Sequence, residues 1–283
     1  MLIAEVFGHY VQDQSPTAVG NRSAKLCPYR GSVCTKTSKM DPLGICSLSN
    51  DGMSAAVICP VRFQDKHRIF KDAAAIAFGE KIRFGVFPEI RILEIDDPDN
   101  STRSRKIGKI DFLLARIDAE KITDFAALEV QASYISGTSI RPGFEHFLAT
   151  GIIDPVAADR RPDFRSSAQK RLFPQLQLKV PVFRRWGKKF FVVVDNHFFA
   201  ELPTFRETTK SNSEITWLVY DLKRQDGSFE LSDLRAKYTN WDTVQNSIRE
   251  EGRSPEPQDI IAELQLKFSG ATFKSARPII LST

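Results

Sequence analysis

Asp111, Glu129 and Gln131 are the residues whose types and spacing could do chemistry. Asp111 lies in a run rich in Ile, Leu and Phe from 107 to 117, and the other two close a second run from 125 to 132. Both runs read as β-strands, and the polar connector with Asp118, Glu120 and Asp124 fits a hairpin or meander turn. Alternate side chains on a strand share a face, so Glu129 and Gln131 point one way while Leu128 and Val130 point the other. Two carboxylates and an amide carried inward on paired strands would seat a hard divalent cation, which takes oxygen ligands. Strand acids more often face solvent or pair with Lys or Arg, and residue types alone leave that reading open.

A second set of candidates is Cys27, Cys34, Cys46 and Cys59, all the cysteines of the chain, separated by six, eleven and twelve residues. Gly31, Gly44, Gly52, Pro28, Pro42 and Pro60 punctuate this stretch, which leaves it short of an apolar core of its own. A tetrahedral four-thiolate site would supply the missing stability, with zinc and iron both suited to it. The spacing has no Cys-X-X-Cys knuckle, so scattered buried thiols are the alternative.

The third feature is charge. Net charge is +5, but residues 160 to 190 hold ten Lys or Arg against one acid, Asp163. A basic stretch of this density attracts a polyanion such as nucleic acid. Arg165, Lys170, Arg171, Lys179, Arg184 and Arg185 are expected on the exposed sides of a helix, where Arg suits bidentate contacts with guanine or phosphate. A solvated basic face without a ligand gives the same pattern.

Other chemistries are poorly supported. The four histidines, His9, His67, His146 and His197, are far apart, and the chain has no Gly-rich nucleotide loop and no Gly-X-Ser-X-Gly elbow. No apolar run is long enough to span a bilayer, and Met1 to Phe7 does not read as a signal peptide, so a cytoplasmic protein with no membrane partner is expected.

Around these residues the pattern predicts a strand or short helix in 1–20, then a helix from Asp65, capping its start, to Gly79, with Ile69, Ala73, Ile76 and Ala77 on its apolar face. A strand is expected over 88–95 and a polar loop over 96–105 whose basic end could reach DNA. Residues 133–163 read as a long ordered loop anchored by Phe144, Phe147, Leu148, Ile152 and Ile153. A helix over 165–186, broken or kinked at Pro174 or Pro181, precedes a buried strand over 188–195. Residues 217–221 form another buried strand, 229–238 a turn and short helix, 242–250 a helix, and 259–268 a weakly amphipathic segment before a tail.

The words Phe-Ala-Ala-Leu-Glu-Val-Gln at 125–131 and Asp-Phe-Arg-Ser-Ser-Ala-Gln-Lys-Arg-Leu-Phe-Pro-Gln-Leu-Gln-Leu-Lys-Val-Pro at 163–181 resemble the NotI-like type II restriction endonucleases, and Asp111 followed across a hairpin by Glu129-Val-Gln resembles the wider PD-(D/E)XK nuclease superfamily. The resemblance spans roughly residues 20 to 200 and departs from the superfamily where Gln131 replaces the usual Lys. It implies an α/β fold with a mixed central sheet flanked by helices in residues 65–283, and a four-cysteine metal-binding subdomain in 1–64. Also implied are Mg2+ on Asp111 and Glu129, a water oriented by Gln131, and a structural metal, iron in this family, on the cysteines. The substrate would be palindromic double-stranded DNA with a GGCC-centred site, cut by a homodimer to leave 5′ overhangs and 5′-phosphates, with a separate methyltransferase protecting the host. An upstream acid, Glu80 or Glu89, could join the site. The rival readings are a repair or junction-resolving nuclease of the same superfamily, and a non-catalytic metal-ribbon protein that binds nucleic acid.

Overall fold

The computed structural model describes residues 1–38, 41–97, 100–137, 139–153, 161–250 and 256–269. The N-terminal part folds around a four-stranded sheet. Its strands are β1 (Leu2–Val6), β2 (His9–Tyr10), β7 (Ile45–Ser49) and β8 (Ala55–Val57), in the order β2-β1-β7-β8. Helix α1 (Pro16–Ser23) and two short ribbons, β3 (Leu26–Cys27) with β4 (Ser32–Val33) and β5 (Thr37–Ser38) with β6 (Asp41–Pro42), fill the chain between. The segment does build an apolar core, contrary to the expectation from its glycines and prolines. Ile3, Val6, Phe7, Ile45 and Leu48 pack with Cys27 and Cys34, and Phe144 and Phe147 complete the cluster from a distant part of the chain.

Residues 60–67 form a 3-10 turn, and helix α2 runs from Arg68 to Phe78. Asp65 therefore does not cap α2; its carboxylate accepts from Arg62 Nη1 at 3.2 Å. Gly79, at φ 97°, does end the helix. Ile69 and Ala73 are buried on its inner face, with Ile76 and Ala77 partly so.

The main sheet has six strands in the order β16-β15-β14-β11-β10-β9. Long strands β9 (Arg83–Asp97) and β10 (Asn100–Asp118) pair antiparallel, and β11 (Lys121–Val130) returns against β10 after a turn at 119–120. The polar stretch 96–105 is thus drawn into the strands instead of forming a loop, with residues 98 and 99 outside the described set. Ribbon β12 (Tyr134–Ser136) with β13 (Arg161–Asp163), and α3 (Arg141–Thr150), occupy the stretch read as a long loop. Phe144 and Phe147 anchor it as expected, whereas Leu148 and Ile152 are exposed. A continuous helical rod follows: α4 (Phe164–Ser167), a π-helical turn at 168–172, and α5 (Phe173–Arg185). Pro174 falls in the first turn after the π segment, where its missing N–H is tolerated, and Pro181 lies inside α5.

Strand β14 (Phe190–Asp195) is buried along its whole length because it lies parallel to both neighbours, β11 and β15 (Ile215–Gln225). Short helix α6 (Asn196–Ala200) leads away from it. Strand β16 (Ser228–Thr239) closes the sheet antiparallel to β15, which corrects the reading of 229–238 as a turn and helix. Its alternation is that of an edge strand, with Phe229 and Leu231 on the core and Glu230 outward. Helices α7 (Trp241–Glu250) and α8 (Pro257–Phe268) follow.

Two cores sandwich the sheet. Leu176, Val180 and Phe183 of α5 pack on Ala127 and Val192 on one face, and Ile69, Phe70 and Ala73 of α2 pack on Leu114, Ala126 and Leu128 on the other. The architecture is therefore mixed α/β, with a central mixed sheet flanked by helices. Among the described residues no helix is long and apolar enough to cross a membrane.

Candidate active site

The register of the hairpin decides where the carboxylates go. Its ladder reaches Phe112 opposite Leu128. One step beyond, the carboxylates capture the strand N–H groups. Asp111 Oδ2 accepts from Val130 N at 2.9 Å, and Glu129 Oε1 accepts from Asp111 N at 3.2 Å. Glu129 shares a strand face with Ala127, and Asp111 with Leu113, so both belong to the α5 side of the sheet.

Lys179 meets them there. Its Nζ donates to Glu129 Oε1 at 2.7 Å and also to Gln175 Oε1 one turn earlier on α5. The expectation that Lys179 studs an exposed face is wrong: it is 2% exposed. The signal was in the sequence, because Leu172, Leu176, Lys179, Val180 and Phe183 recur at the spacing of one helix face, and Lys179 sits inside that buried stripe.

Each carboxylate thus has one oxygen fixed by the protein, while Asp111 Oδ1 and Glu129 Oε2 accept no hydrogen bond from the described residues. Burial, reinforced by the neighbouring Asp111 charge and opposed by Lys179, pushes the Glu129 carboxyl up to about 7. Burial likewise raises Asp111, against the pull of the Val130 N–H. Two carboxylates whose charged forms are costly, each with one oxygen that takes no donor from the described residues, suit a cation. Gln131 Nε2 donates to the Ala132 carbonyl at 2.6 Å, which fixes the amide and leaves Oε1 as an acceptor for a water.

Asp111 and Gln131 line an open cleft of about 1940 Å3 between the connecting segments of the N-terminal part and the hairpin. Lys36, Lys71, Lys170 and Arg171 give it a basic wall, and Tyr134 an aromatic one, with the Arg171 guanidinium 4.4 Å from the Tyr134 ring centre. Of the two upstream acids, Glu89 lines the cleft, paired with Lys109 at 2.9 Å, and Glu80 does not. Arg165, Arg184 and Arg185 are exposed but lie outside the cleft lining; Arg184 is bound to Glu214 at 2.7 Å.

The cysteines are buried and unpaired by disulfides. The Cys59 sulfur feels those of Cys34 and Cys27, and that of Cys46 feels Cys59. Burial pushes Cys27, Cys46 and Cys59 up. Opposing it, the backbone N–H groups of Tyr29 and Arg30 face Cys27, that of Gly8 faces Cys46 and that of Val61 faces Cys59, an arrangement that favours thiolate. Among the described residues no three His, Cys, Asp or Glu side chains are drawn tightly enough together to hold an ion.

No curated protein matches the chain. A family model described as restriction endonuclease NotI matches residues 5–231, which takes in the N-terminal sheet, all four cysteines, the carboxylate hairpin and the Lys179 helix. The chain belongs to the NotI restriction endonuclease family.

Proposed function

We propose that this restriction endonuclease hydrolyses phosphodiester bonds in palindromic, GC-rich duplex DNA, with Mg2+ held by Asp111 and Glu129. The observation that carries the reading is the pair of free oxygens, Asp111 Oδ1 and Glu129 Oε2, on adjacent strands beside a cleft with a basic wall. Mg2+ held by Asp111 and Glu129 would supply charge stabilisation at the scissile phosphate and a more acidic water. Gln131 Oε1 would accept a hydrogen bond from the attacking water and align it. The water oxygen forms a bond to phosphorus as the bond to the 3′-oxygen breaks, the water's proton passes to solvent, and the leaving oxygen takes one up. The products carry a 5′-phosphate and a 3′-hydroxyl.

Lys170 and Arg171 would hold the backbone or read bases from the cleft wall, with Arg165 and Arg185 in supporting positions on the same helical rod and Arg184 occupied by its ion pairs with Glu214 and Asp242. The resemblance supplies the finer target, a GGCC-centred palindrome cut with a 5′ overhang by a homodimer, each protomer cutting one strand, in a cytoplasm where a methyltransferase protects the host. It also supplies a structural metal, iron or zinc, on Cys27, Cys34, Cys46 and Cys59. The backbone N–H groups that face Cys27, Cys46 and Cys59 support that assignment. Residues 1–64 would then be a metal-bearing subdomain on a nuclease domain of 65–283.

Digestion of a sequenced phage genome, with Mg2+ and then with Ca2+ or EDTA, tests the reading. Sharp Mg2+-dependent fragments whose ends map to one GC-rich palindrome are expected. A smear would discard sequence specificity in favour of a repair-type nuclease, and DNA left intact under all conditions would favour a non-catalytic binder.

A further inference from the structure

Resting on that reading of the site, we propose that Lys179 is a positioning residue of the active centre. From helix α5 it pins one oxygen of Glu129, aims the other at the metal, and so supplies behind the carboxylate the positive charge that Gln131 cannot supply in front of it.

Three observations carry this. Lys179 is a buried cation whose Nζ lies 2.7 Å from Glu129 Oε1, and the basic wall of the cleft neither includes it nor needs it. A buried ammonium costs several kcal/mol unless it is paired and hydrogen-bonded, so its place in an otherwise apolar helix face of Leu176, Val180 and Phe183 calls for a function that an apolar residue would not serve. Glu129 Oε1 is also the atom that takes the Asp111 N–H. With both donors on Oε1, the carboxylate cannot rotate without losing two hydrogen bonds, and Oε2 is held as the free oxygen. Gln175 anchors the ammonium from its other side, and since Gln175 lines the cleft it joins this buried pair to the DNA-facing wall. Lys179 acts through Glu129; nothing places it on the substrate.

Outer partners of metal ligands typically set metal affinity by roughly 10- to 100-fold. The test compares native protein with Lys179→Met, Lys179→Arg and Gln175→Leu. Single-turnover cleavage is measured across Mg2+ concentrations, Mn2+ affinity by calorimetry without DNA, and DNA affinity in EDTA. For Lys179→Met the Mg2+ needed for half-maximal cleavage, and the Mn2+ dissociation constant, should rise roughly 10- to 100-fold, with DNA affinity unchanged. Lys179→Arg, which keeps the charge, should recover part of the loss. Native-like metal dependence in Lys179→Met overturns the proposal while leaving the nuclease reading intact, and so does equal impairment of the Met and Arg variants. If Lys179→Met loses its cooperative melt, Gln175→Leu decides: a metal requirement raised several-fold supports the role, and an unchanged one overturns it. Native protein that cuts no DNA would sink the function proposed above, and the Mn2+ titration would still read the effect of Lys179.

Discussion

The carboxylate hairpin and the cysteine segment both bury ionisable groups, but they are built in opposite ways. Asp111 and Glu129 stand on long strands whose register fixes them before any ion arrives, and a buried Lys179 already offsets part of their charge. Cys27 stands on a two-residue ribbon, Cys34 and Cys59 lie just past strand ends, and Cys46 is on β7. Burial pushes the thiols of Cys27, Cys46 and Cys59 up, opposed by backbone N–H groups and by the charges of Arg30, Arg62 and Lys36. The first arrangement suits an exchangeable ion at an open site, whereas among the described residues the second draws no three ligands together, and the structural metal proposed there would have to gather them. The contrast teaches that strand register can fix ionisable groups in place in advance, while groups at ribbon and strand ends depend on what packs around them.

The sharpest way to break the comparison is Cys46→Ser. A structural ion contributes several kcal/mol or more to folding, so this variant should lose its bound metal and melt roughly 10 °C or more below native protein. Elemental analysis with calorimetry checks both, and unchanged stability would leave the cysteines as ordinary buried thiols.

Arg62 joins the N-terminal segment to strand β16 of the main sheet. It is buried against Glu5 at 2.9 Å, donates to the Phe229 carbonyl at 2.6 Å and lies 5.0 Å from the Tyr29 ring centre. Arg62→Met strands the Glu5 charge and should cost about 3–5 kcal/mol in denaturant unfolding.

The metal-free protein should also show the cost of the preorganised site. Glu129 holds its proton up to about 7 when folded but only to its ordinary 4.5 when unfolded. The stability it contributes is therefore complete below pH 4.5 and is lost as pH rises to about 7, a loss of roughly 3 kcal/mol. Asp195, fully buried and raised to about 6, acts in the same direction. Thermal melts in EDTA should fall between pH 5 and pH 8, Mg2+ should offset the fall at pH 8, and Glu129→Gln should flatten it. A melt that rises with pH would contradict this.

The smallest effect separates the arginines. Arg171→Ala should weaken DNA binding by about 1 kcal/mol, the loss of one phosphate or base contact. Arg184→Ala, whose guanidinium is bound to Glu214 and Asp242, should leave it unchanged in a salt titration.

The same contrast explains how much of the molecule was legible in the sequence. The hairpin was readable because its apolar runs are long and its turn is polar, and the strand at 190–195 because parallel neighbours demand an unbroken apolar run. Strand β16 was misread because an edge strand needs only one apolar face, and Phe229, Leu231 and Leu234 do not keep a strict alternation. The loop expected over 96–105 failed because pairing between two long strands outweighs the local turn preference of Asp, Asn and Ser. The N-terminal core escaped because it is completed by Ile135, Ile140, Phe144 and Phe147, far away in sequence. At the site, Asp111 and Glu129 could be singled out by residue type together with the resemblance, though residue type alone left a solvent-facing role open. Lys179 could not, since in a run of ten basic residues only the helical spacing of its apolar neighbours marks it as buried.

The most direct test of the central claim is cleavage and binding of one cognate duplex, measured side by side for native protein and Asp111→Asn. Loss of a metal ligand worth several kcal/mol of transition-state stabilisation should slow single-turnover cleavage in Mg2+ by about 1000-fold or more, with DNA affinity in Ca2+ at least as tight as native. Cleavage by Asp111→Asn at the native rate, or a parallel loss of binding and cleavage, would contradict the assignment of Asp111 to the metal.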